Sequence, residues 1–391
     1  MEAIMQDKKV RILCVGVGGY SHVYLRPFLT RNDDYYTLVG GVDPFADKSQ
    51  FYEQLCEKKI PLYNTMEEFY AAGGEADLTI ISTPIHFHTR QIITALEHGS
   101  NVLCEKPLSG DASDEALIEA AAERAGKFVM IGYQWSYSTA VNALKDDVLA
   151  GVLGKPVFLK TIVLWPRTKT YFGRGSGWAG KMRAADGTLI YDSVAANATA
   201  HYIHNMLYVC GEKNLAAEPL DVKADLIRVN DIENFDNITL SFSLESGAKC
   251  LFIAAHSCDE NHSPILEYRF EKATVTYDED VKDLVAHFAD GTEKHYGNPE
   301  DDGHSKKGFI AIEGCTTEGF EPLCSHRTAA AHARCIAAIQ TNKIYDANPE
   351  RVKLREADGL LYIEGFTDLL KRCYNEEIML RDSGELEGLV K

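Results

Sequence analysis

Long apolar segments are missing from this sequence of 391 residues. No run approaches the roughly 18 consecutive apolar residues that span a bilayer. The first residues, Met1 to Lys9, are polar and charged and contain no signal-peptide core. We therefore expect a cytoplasmic protein with no membrane partner.

Positive charge is also scarce. The chain has 40 Lys and Arg residues against 58 Asp and Glu residues, which gives a formal net charge of −18. Nucleic acids and anionic membranes bind to basic surfaces, so this balance argues against both. With 45% hydrophobic and 25% charged residues, the composition is that of a soluble globular protein. The length predicts two domains.

Closely spaced cysteine pairs are absent as well. The ten cysteines are scattered from Cys14 to Cys373, and Cys14, Cys104 and Cys250 lie in apolar runs, where free thiols behave as small hydrophobic groups. The pattern indicates a reducing compartment and predicts no metal site. A secreted, disulfide-bonded protein is the alternative, which the size and the lack of a signal segment disfavour.

The first chemical motif present is a glycine-rich turn. A strand-like run from Val10 to Val15 leads into this turn, and a helical segment from about His22 to Thr30 follows it. Such glycines let the turn tighten and let the backbone approach a pyrophosphate at the helix N-terminus. The predicted cofactor-binding residues here are Gly16, Gly18, Gly19, Tyr20 and Ser21, with Ser21 in the third position of the fingerprint.

An acidic residue follows the second predicted strand. Thr37 to Val42 ends in Asp43, about 20 residues beyond the glycine turn, where a carboxylate binds the ribose hydroxyls of a dinucleotide. A carboxylate repels a 2′-phosphate, and no arginine follows Asp43, so NAD is favoured over NADP. The alternative is that Asp43 only caps the next helix.

Strand-like and helix-like segments then alternate. This alternation predicts a doubly wound parallel sheet with right-handed crossovers. The predicted helices are Asp47–Lys59, Met66–Ala71, Thr89–His98 and Ser113–Ala125, and the predicted strands are Pro61–Tyr63, Asp77–Ile81, Asn101–Cys104 and Phe128–Ile131.

Two of these strands end in polar turns. The strand before Glu105 is short and apolar, and Lys106 is held between Glu105 and Pro107 at its carboxyl end, where open α/β sheets bind ligands. We expect Lys106 to act on a substrate hydroxyl; a solvated lysine on a surface turn is the alternative. The predicted cofactor-binding residues of the two turns are Thr83, Pro84, His86, His88, Glu105 and Lys106, with no chemistry assigned to the histidines.

Three motifs occur in this order and at these spacings: the glycine turn, the Thr83-Pro84 turn with His86 and His88, and the run Glu105-Lys106-Pro107-Leu108. Together they resemble the Gfo/Idh/MocA family of glucose–fructose oxidoreductase, inositol dehydrogenase and rhizopine-catabolism proteins. The resemblance implies an N-terminal Rossmann domain (residues 1–132) and a C-terminal α+β domain with a largely antiparallel open sheet (residues 133–391). It also implies NAD(P)-dependent chemistry on sugars, cyclitols or related polyols. The lysine matching Lys106 contacts the reacting hydroxyl in that family, and the proline matching Pro107 is often cis.

A long glycine-containing segment opens the second domain. It runs from Trp165 to Gly187, follows a predicted strand from Val157 to Leu164, and is longer than most loops without function. Aromatic faces and cationic donors suit a polyhydroxylated ring or an acidic sugar. The predicted substrate-binding residues are Trp165, Arg167, Trp178 and Lys181, with a disordered surface loop as the alternative.

Two histidines lie three residues apart in the next helical run. His201 and His204 share a helix face in this interpretation, with Asn197 one turn earlier on the same face. A histidine at the position of His201 is the family's acid–base group, with one acid four residues before it and another three after. Asn197 and His204 replace those acids here. We expect His201 and His204 to be catalytic and all three residues to bind substrate; two structural histidines, or a metal-binding pair without a third ligand, are the alternatives.

The remaining sequence is typical of an antiparallel sheet followed by two helices. One sheet face needs a cover, for which we expect the helix Asn197–Cys210 and another subunit, hence a homodimer or homotetramer. Residues Gly303–Gly308 read as a loop. The predicted strands are Asp221–Val229, Phe235–Leu244, Lys249–His256, Glu267–Phe270, Thr274–Tyr277 and Val281–Phe288, and the predicted helices are Ser325–Gln340 and Glu350–Leu370.

The sequence thus predicts an enzyme that transfers a hydride between a carbohydrate or polyol hydroxyl and nicotinamide. An NAD-dependent glycosidase or lyase that acts through transient sugar oxidation is a second hypothesis, because the His201/His204 pair is unusual. A nucleotide-binding sensor or scaffold without catalysis is a third.

Overall fold

A computed structural model describes residues 9–31, 34–173, 177–278 and 280–391. The first eight residues of the predicted N-terminal domain lie outside the described residues. The strands are β1 (Val10–Val15), β2 (Tyr36–Val42), β3 (Leu62–Tyr63), β4 (Leu78–Ile81), β5 (Asn101–Cys104), β6 (Val129–Ile131), β7 (Pro156–Leu164), β8 (Pro219–Arg228), β9 (Asn237–Leu244), β10 (Lys249–Ala255), β11 (His262–Phe270), β12 (Ala273–Asp278), β13 (Leu284–Phe288), β14 (Glu293–Gly297), β15 (Ile344–Asp346), β16 (Val352–Arg355) and β17 (Leu360–Ile363).

The helices interleave with these strands along the chain. They are α1 (His22–Thr30), α2 (Tyr52–Glu57), α3 (Met66–Ala71), α4 (His88–Glu97), α5 (Asp114–Ala125), α6 (Thr139–Leu149), α7 (Lys169–Phe172), α8 (Ala200–Val209), α9 (Lys306–Gly314), α10 (His326–Ile339), α11 (Phe366–Glu376) and α12 (Leu386–Leu389). Short 3₁₀ turns precede α1 and α4, and a π-helical turn, Val194–Ala198, precedes α8.

The chain forms two compact units whose boundaries differ from the predicted ones. The first contains the described residues of Met1–Ser109, Ser113–Tyr137 and Asp302–Ala329, and the second contains those of Gly110–Ala112, Ser138–Asp301 and Ala330–Lys391. The predicted division at residue 132 therefore needs correction. Residues 302–329 return to the first unit because α9 packs against β4 and β5.

The first unit is built on a parallel sheet, as predicted. In the described residues its strand order is β3-β2-β1-β4-β5-β6, the order of a Rossmann fold. The order of the strands reverses between β1 and β4, which is where such folds bind ligands. Because Val15 pairs with Ile81, and Ile81 with Cys104, the residues that follow these strands lie side by side at the carboxyl edge.

Two segments of the first unit differ from the predictions. The helix expected over Asp47–Lys59 is a 3₁₀ turn, Ala46–Lys48, followed by the shorter α2, since Ser49 adopts an extended backbone between them. The expected loop Gly303–Gly308 contains the start of α9. Its lysine-rich first turn hid an amphipathic helix whose Lys307 and Gly308 are buried.

The second unit is built on a mixed, mostly antiparallel sheet. Among the described residues its strand order is β14-β13-β12-β11-β7-β10-β9-β8-β15, and β7 pairs with β10 in parallel. The predicted strands are present with shifted ends. β11 starts at His262 rather than Glu267, and β14 was missed because Glu293–Gly297 is mostly exposed and lacks an apolar face.

Helix α11 covers one face of this sheet. Phe366, Leu370 and Tyr374 form a buried cluster with residues of β7 and β10. The prediction of one helix over Glu350–Leu370 is wrong. This segment forms the hairpin β16–β17, whose turn ends at Gly359 with φ of 72°, before α11 begins.

The cover supplied by α11 bears on the expected assembly. Leu251 and Ile253 of β10 lie in the α11 cluster, and Phe252 between them is buried on the opposite face. The second subunit was expected because one face needed a cover, and at β7 and β10 the chain provides that cover itself. A homodimer or homotetramer stays a prediction of the sequence.

None of the helices in the described parts of the chain is both long and apolar enough to cross a membrane.

Candidate cofactor and substrate sites

The glycine turn follows β1, at the point where the strand order of the first sheet reverses. Gly16 has a φ of 82°, which favours glycine, and an added Cβ would lie 3.0 Å from the backbone carbon of Ser82. Gly19 is also left-handed, with a φ of 54°, and Gly18 lies next to the carboxylate of Asp43. The turn therefore places backbone where a side chain would collide, as a nucleotide-binding turn requires.

The groups around this turn suit a dinucleotide. Asp43 accepts hydrogen bonds from the backbone N–H groups of Val17 (3.0 Å) and Phe45 (2.9 Å). Asp43 can bind these two N–H groups and the ribose hydroxyls at the same time, because a carboxylate has about four acceptor sites. Ser21 is the N-cap of α1 but caps no N–H group, and its buried hydroxyl has no protein partner. An uncapped helix start with a spare hydroxyl fits a bound phosphate.

The two polar turns of the first unit are joined by His88. Its Nδ1 lies 2.8 Å from the carbonyl oxygen of Pro107, and its Nε2 lies 2.9 Å from that of Thr83. Burial lowers the pKa of His88, and the two carbonyl groups oppose this shift. His88 is 1% exposed and braces the two turns, and its contact with the cofactor stays a prediction.

Lys106 is half-buried directly after β5. Its peptide bond to Pro107 is cis, in agreement with the resemblance. Thr83, Pro84 and His86 are half-buried at the neighbouring turn, and the His86 ring centroid lies 4.0 Å from that of Phe87. Part of this edge is therefore accessible beside the glycine turn.

The side chains of Tyr20 and Glu105 both contact other protein groups. The Tyr20 hydroxyl donates to Gln134 at 3.2 Å. The Glu105 carboxylate is 7% exposed and contacts Tyr24 and Lys307, which the sequence reasoning missed. The Glu105 side chain therefore supports the lysine turn, and its contact with the cofactor stays a prediction.

In the second unit, Trp165 and Arg167 follow β7 and meet the end of the parallel strand β10. The backbone N–H of Arg167 donates to the carbonyl of His256, and a ring nitrogen of His256 lies 2.8 Å from the carbonyl oxygen of Trp165. The Arg167 guanidinium lies 5.6 Å from the Trp165 ring and 5.1 Å from the Tyr171 ring. Its buried Nε has no protein partner.

This cluster adjoins the predicted histidine helix. The Tyr202 ring packs edge-on against Trp165 at 5.8 Å, so the first turn of α8 lies beside Trp165. His201, the preceding residue, is half-buried. Trp165, Arg167 and the start of α8 thus lie together, and their binding of substrate stays a prediction.

Trp178, Lys181 and Asn197 are organised by Asp192, a buried acid that the sequence reasoning missed. Asp192 accepts from the backbone N–H of Gly180 at 2.6 Å and from the Asn197 side chain at 2.9 Å. The N–H of Lys181 donates to the Trp178 carbonyl. The loop is therefore folded around a carboxylate, with the Lys181 side chain exposed and Trp178 half-buried.

The run from Asn197 to His204 is not one regular helix. Asn197 belongs to the π-helical turn, in which the N–H of Thr199 donates to the carbonyl of Val194, and α8 starts only at Ala200. The prediction that Asn197 lies on the same α-helical face as His201 and His204 is therefore wrong. Such π turns are frequent at functional sites.

His204 lies inside the second unit rather than at a surface. It is 1% exposed and stacks on Tyr208 at 5.8 Å. Burial, and then the charges of His332 and Lys145, hold the pKa of His204 well below its usual 6.5. A direct contact between His204 and substrate is therefore unsupported. Within the described residues no cluster of three or more potential metal ligands occurs.

Some of the missed residues carried a usable signal. His256 ended a predicted strand, but its position mattered only once β10 was known to run parallel to β7. Asp192 follows the apolar Leu189 and Ile190, yet its five-residue separation from Asn197 fits no regular helix. Lys307 lay in a segment read as loop.

Comparison with known proteins supports the fold and the cofactor. The model of the Gfo/Idh/MocA oxidoreductase family, described as an NAD-binding Rossmann fold, matches residues 10–133. The structure of the WlbA dehydrogenase from Bordetella pertussis, in complex with NADH and UDP-GlcNAcA, superposes with a TM-score of 0.69 at 20% identity. That superposition covers 85% of this chain and 96% of WlbA.

Two curated relatives align over the first part of the chain. Inositol 2-dehydrogenase of Rhodococcus erythropolis is 29% identical over 157 residues, which is 39% of this chain and 43% of the relative. Rhizopine catabolism protein MocA of Rhizobium meliloti is 27% identical over 172 residues, 43% and 52% of the two chains. The chain thus spans about half the length of the curated relatives it matches. Residues 10–133 of the chain are thus similar to the NAD-binding Rossmann domain of the Gfo/Idh/MocA oxidoreductase family.

Proposed function

We propose that this protein is an NAD-dependent dehydrogenase that transfers a hydride between a CH–OH group of a sugar, cyclitol or related polyol and nicotinamide. The observation that carries the proposal is the braced lysine turn. Lys106 is half-buried at the carboxyl edge of a NAD-binding sheet, and His88 ties its turn to the turn of Thr83. The names of the curated relatives support the CH–OH chemistry.

In this proposal Lys106 hydrogen-bonds the reacting hydroxyl and stabilises the developing alkoxide. A preorganised cation in a water-poor site is an effective way to stabilise such a charge. His201 accepts the hydroxyl proton, because imidazole near neutrality is suited to proton transfer. When bound, the nicotinamide ring supplies the hydride chemistry.

Arg167 and Trp165 are the proposed contacts to the rest of the substrate. The Arg167 guanidinium faces two aromatic rings and retains a buried donor without a protein partner. Such a group suits a ring oxygen or a carboxylate, and an aromatic face covers the C–H side of a sugar. Asn197, held by Asp192, is a further proposed hydroxyl contact.

The experiment measures NADH formation at 340 nm with myo-inositol, a set of aldoses and UDP-GlcNAcA as probes. Lys106→Ala is expected to lower kcat/KM by at least a hundredfold, in the range found for single electrostatic groups. Lys127→Ala is the matched control, because Lys127 is also half-buried but precedes β6 at the opposite edge of the same sheet. Equal turnover by the parent protein and Lys106→Ala would exclude the proposed role.

The same assay separates the alternatives. A glycosidase or lyase that acts through transient oxidation would convert substrate while the cofactor returns to its starting redox state. A sensor or scaffold would bind NADH with no turnover of any probe. Net NADH formation is the outcome that the proposal requires.

A further inference from the structure

The carboxylate next to the proposed catalytic lysine is buried in an ion pair. Glu105 Oε1 lies 2.6 Å from Lys307 Nζ and accepts the Tyr24 hydroxyl at 2.5 Å. Glu105 Oε2 accepts the backbone N–H of Lys106 at 3.3 Å. The side chains of Lys307 and Glu105 are 1% and 7% exposed.

The packing around this pair leaves little room for another arrangement. A Cβ added at Gly132 would lie 2.8 Å from Glu105 Oε1, and one added at Gly308 would lie 3.0 Å from the Tyr24 ring. The carbonyl of Gly132 accepts a second hydrogen bond from Lys307 Nζ, at 3.0 Å. The Lys307 side chain extends from α9, and contacts with Glu105 and Gly132 fix the position of its amine.

The pair matters because of where the negative charge lies. Glu105 is covalently adjacent to Lys106, and a buried carboxylate without a partner favours the charged form of any nearby amine. Removing one member of a buried pair also leaves an uncompensated charge, whereas removing both is often tolerated. Comparing single variants with a double variant therefore separates the effect on the charge of the Lys106 amine from the effect on the stability of the fold.

We propose that Lys307 is a positioning residue for the Lys106 turn: by pairing with Glu105 it neutralises the adjacent carboxylate and so sets the basicity of the Lys106 amine. This inference rests on the proposed function only for the role of Lys106. The ion pair and its effect on the amine can be tested without a substrate.

The experiment measures the reactivity of the Lys106 amine across pH 7 to 10. Trace labelling with acetic anhydride, followed by peptide mass spectrometry, reports the pH at which half of this amine is deprotonated. The variants are Lys307→Met, Glu105→Gln and the double variant, all in the full-length protein. The other ionisable neighbours of Glu105 stay neutral in this range, because burial raises the pKa of Tyr24 and Cys104 and lowers that of His88.

The two single variants are expected to shift the half-point in opposite directions. Lys307→Met leaves the carboxylate without its counter-ion, so the half-point rises and labelling below it slows about tenfold, equivalent to one pH unit. Glu105→Gln leaves the buried ammonium unpaired, so the half-point falls. The double variant removes both charges and is expected to restore the parental half-point.

Lys306→Met is the matched control. Lys306 is the preceding residue, pairs with Asp302 at 2.8 Å and is about one-third exposed, so its loss should leave the half-point unchanged. If Lys307→Met does not fold, Glu105→Gln against the double variant tests the same pairing. A half-point that stays parental in every folded variant, or that shifts in one direction in both single variants, would overturn the proposal. NADH formation by the parent protein is measured separately, so a failed dehydrogenase assignment is recognised independently.

Discussion

Replacing Gly16 with alanine is expected to weaken NADH binding far more than it weakens the fold. Gly16 combines a left-handed backbone with close contact to the neighbouring strand end. Its φ is 82°, and a Cβ would lie 3.0 Å from both the carbon and the oxygen of the Ser82 carbonyl. Real Cβ atoms rarely come so close to backbone, so the turn must shift by a few tenths of an ångström.

The magnitude has two parts. A non-glycine residue at this φ costs about 1–2 kcal/mol of stability. The displaced turn then presents its N–H groups in the wrong place for a phosphate. Loss of one or two charge-assisted hydrogen bonds, each about 1.5–3 kcal/mol, corresponds to at least a tenfold increase in the Kd of NADH.

Gly73→Ala is the matched control for the backbone part. Gly73 has a φ of 81°, is exposed, and has nothing within 4 Å of the added Cβ. Gly73→Ala should therefore lose only the backbone part of the free energy of unfolding in urea, and Gly16→Ala at least as much. Only Gly16→Ala should lose NADH affinity, measured by titration of NADH fluorescence. Parental affinity in a folded Gly16→Ala protein would refute the placement of the dinucleotide at this turn.

Two further predictions concern charge. Asp43→Ala should raise the Kd of NADH about tenfold, because a hydrogen-bond acceptor for the ribose is removed. It should also narrow the preference for NADH over NADPH, because the carboxylate that repels a 2′-phosphate is lost. An unchanged ratio of the two affinities would contradict the placement of the ribose at Asp43. His204 has a lowered pKa in the folded protein, so the unfolded state binds more protons and stability is lost as the pH falls below about 6.5. Urea unfolding at pH 7.5 and 5.5 should show a smaller loss for His204→Leu than for the parent, and equal losses would refute the linkage.

The first sheet could be predicted from the sequence because its signals are local. Each strand is a short apolar run, and the glycine turn, Asp43 and Lys106 each stand at the end of one. Strand ends in a parallel sheet fall on the same edge, so the sequence order alone grouped these residues. The structure confirms this part of the fold, and the strand register accounts for it.

The second unit resisted prediction because its contacts are not local. The parallel pairing of β7 with β10 joins residues far apart in the sequence, and without it His256 could not be grouped with Trp165. The π-helical turn breaks the 3.6-residue period on which the position of Asn197 was argued. The hairpin β16–β17 was missed because neither strand alternates: in β16 two exposed residues lie between half-buried ones, and in β17 two half-buried residues lie between buried ones.

The return of α9 to the first unit has a consequence for synthesis of the chain. The cation that neutralises Glu105 lies 202 positions downstream of it, beyond every strand from β7 to β14. A nascent chain of which only the first 137 residues have been synthesised therefore contains the nucleotide-binding sheet with Glu105 buried and without its counter-ion. We expect that sheet to acquire its final stability only after translation has passed Gly314, so an N-terminal fragment is a poor substitute for the full-length protein in cofactor-binding studies.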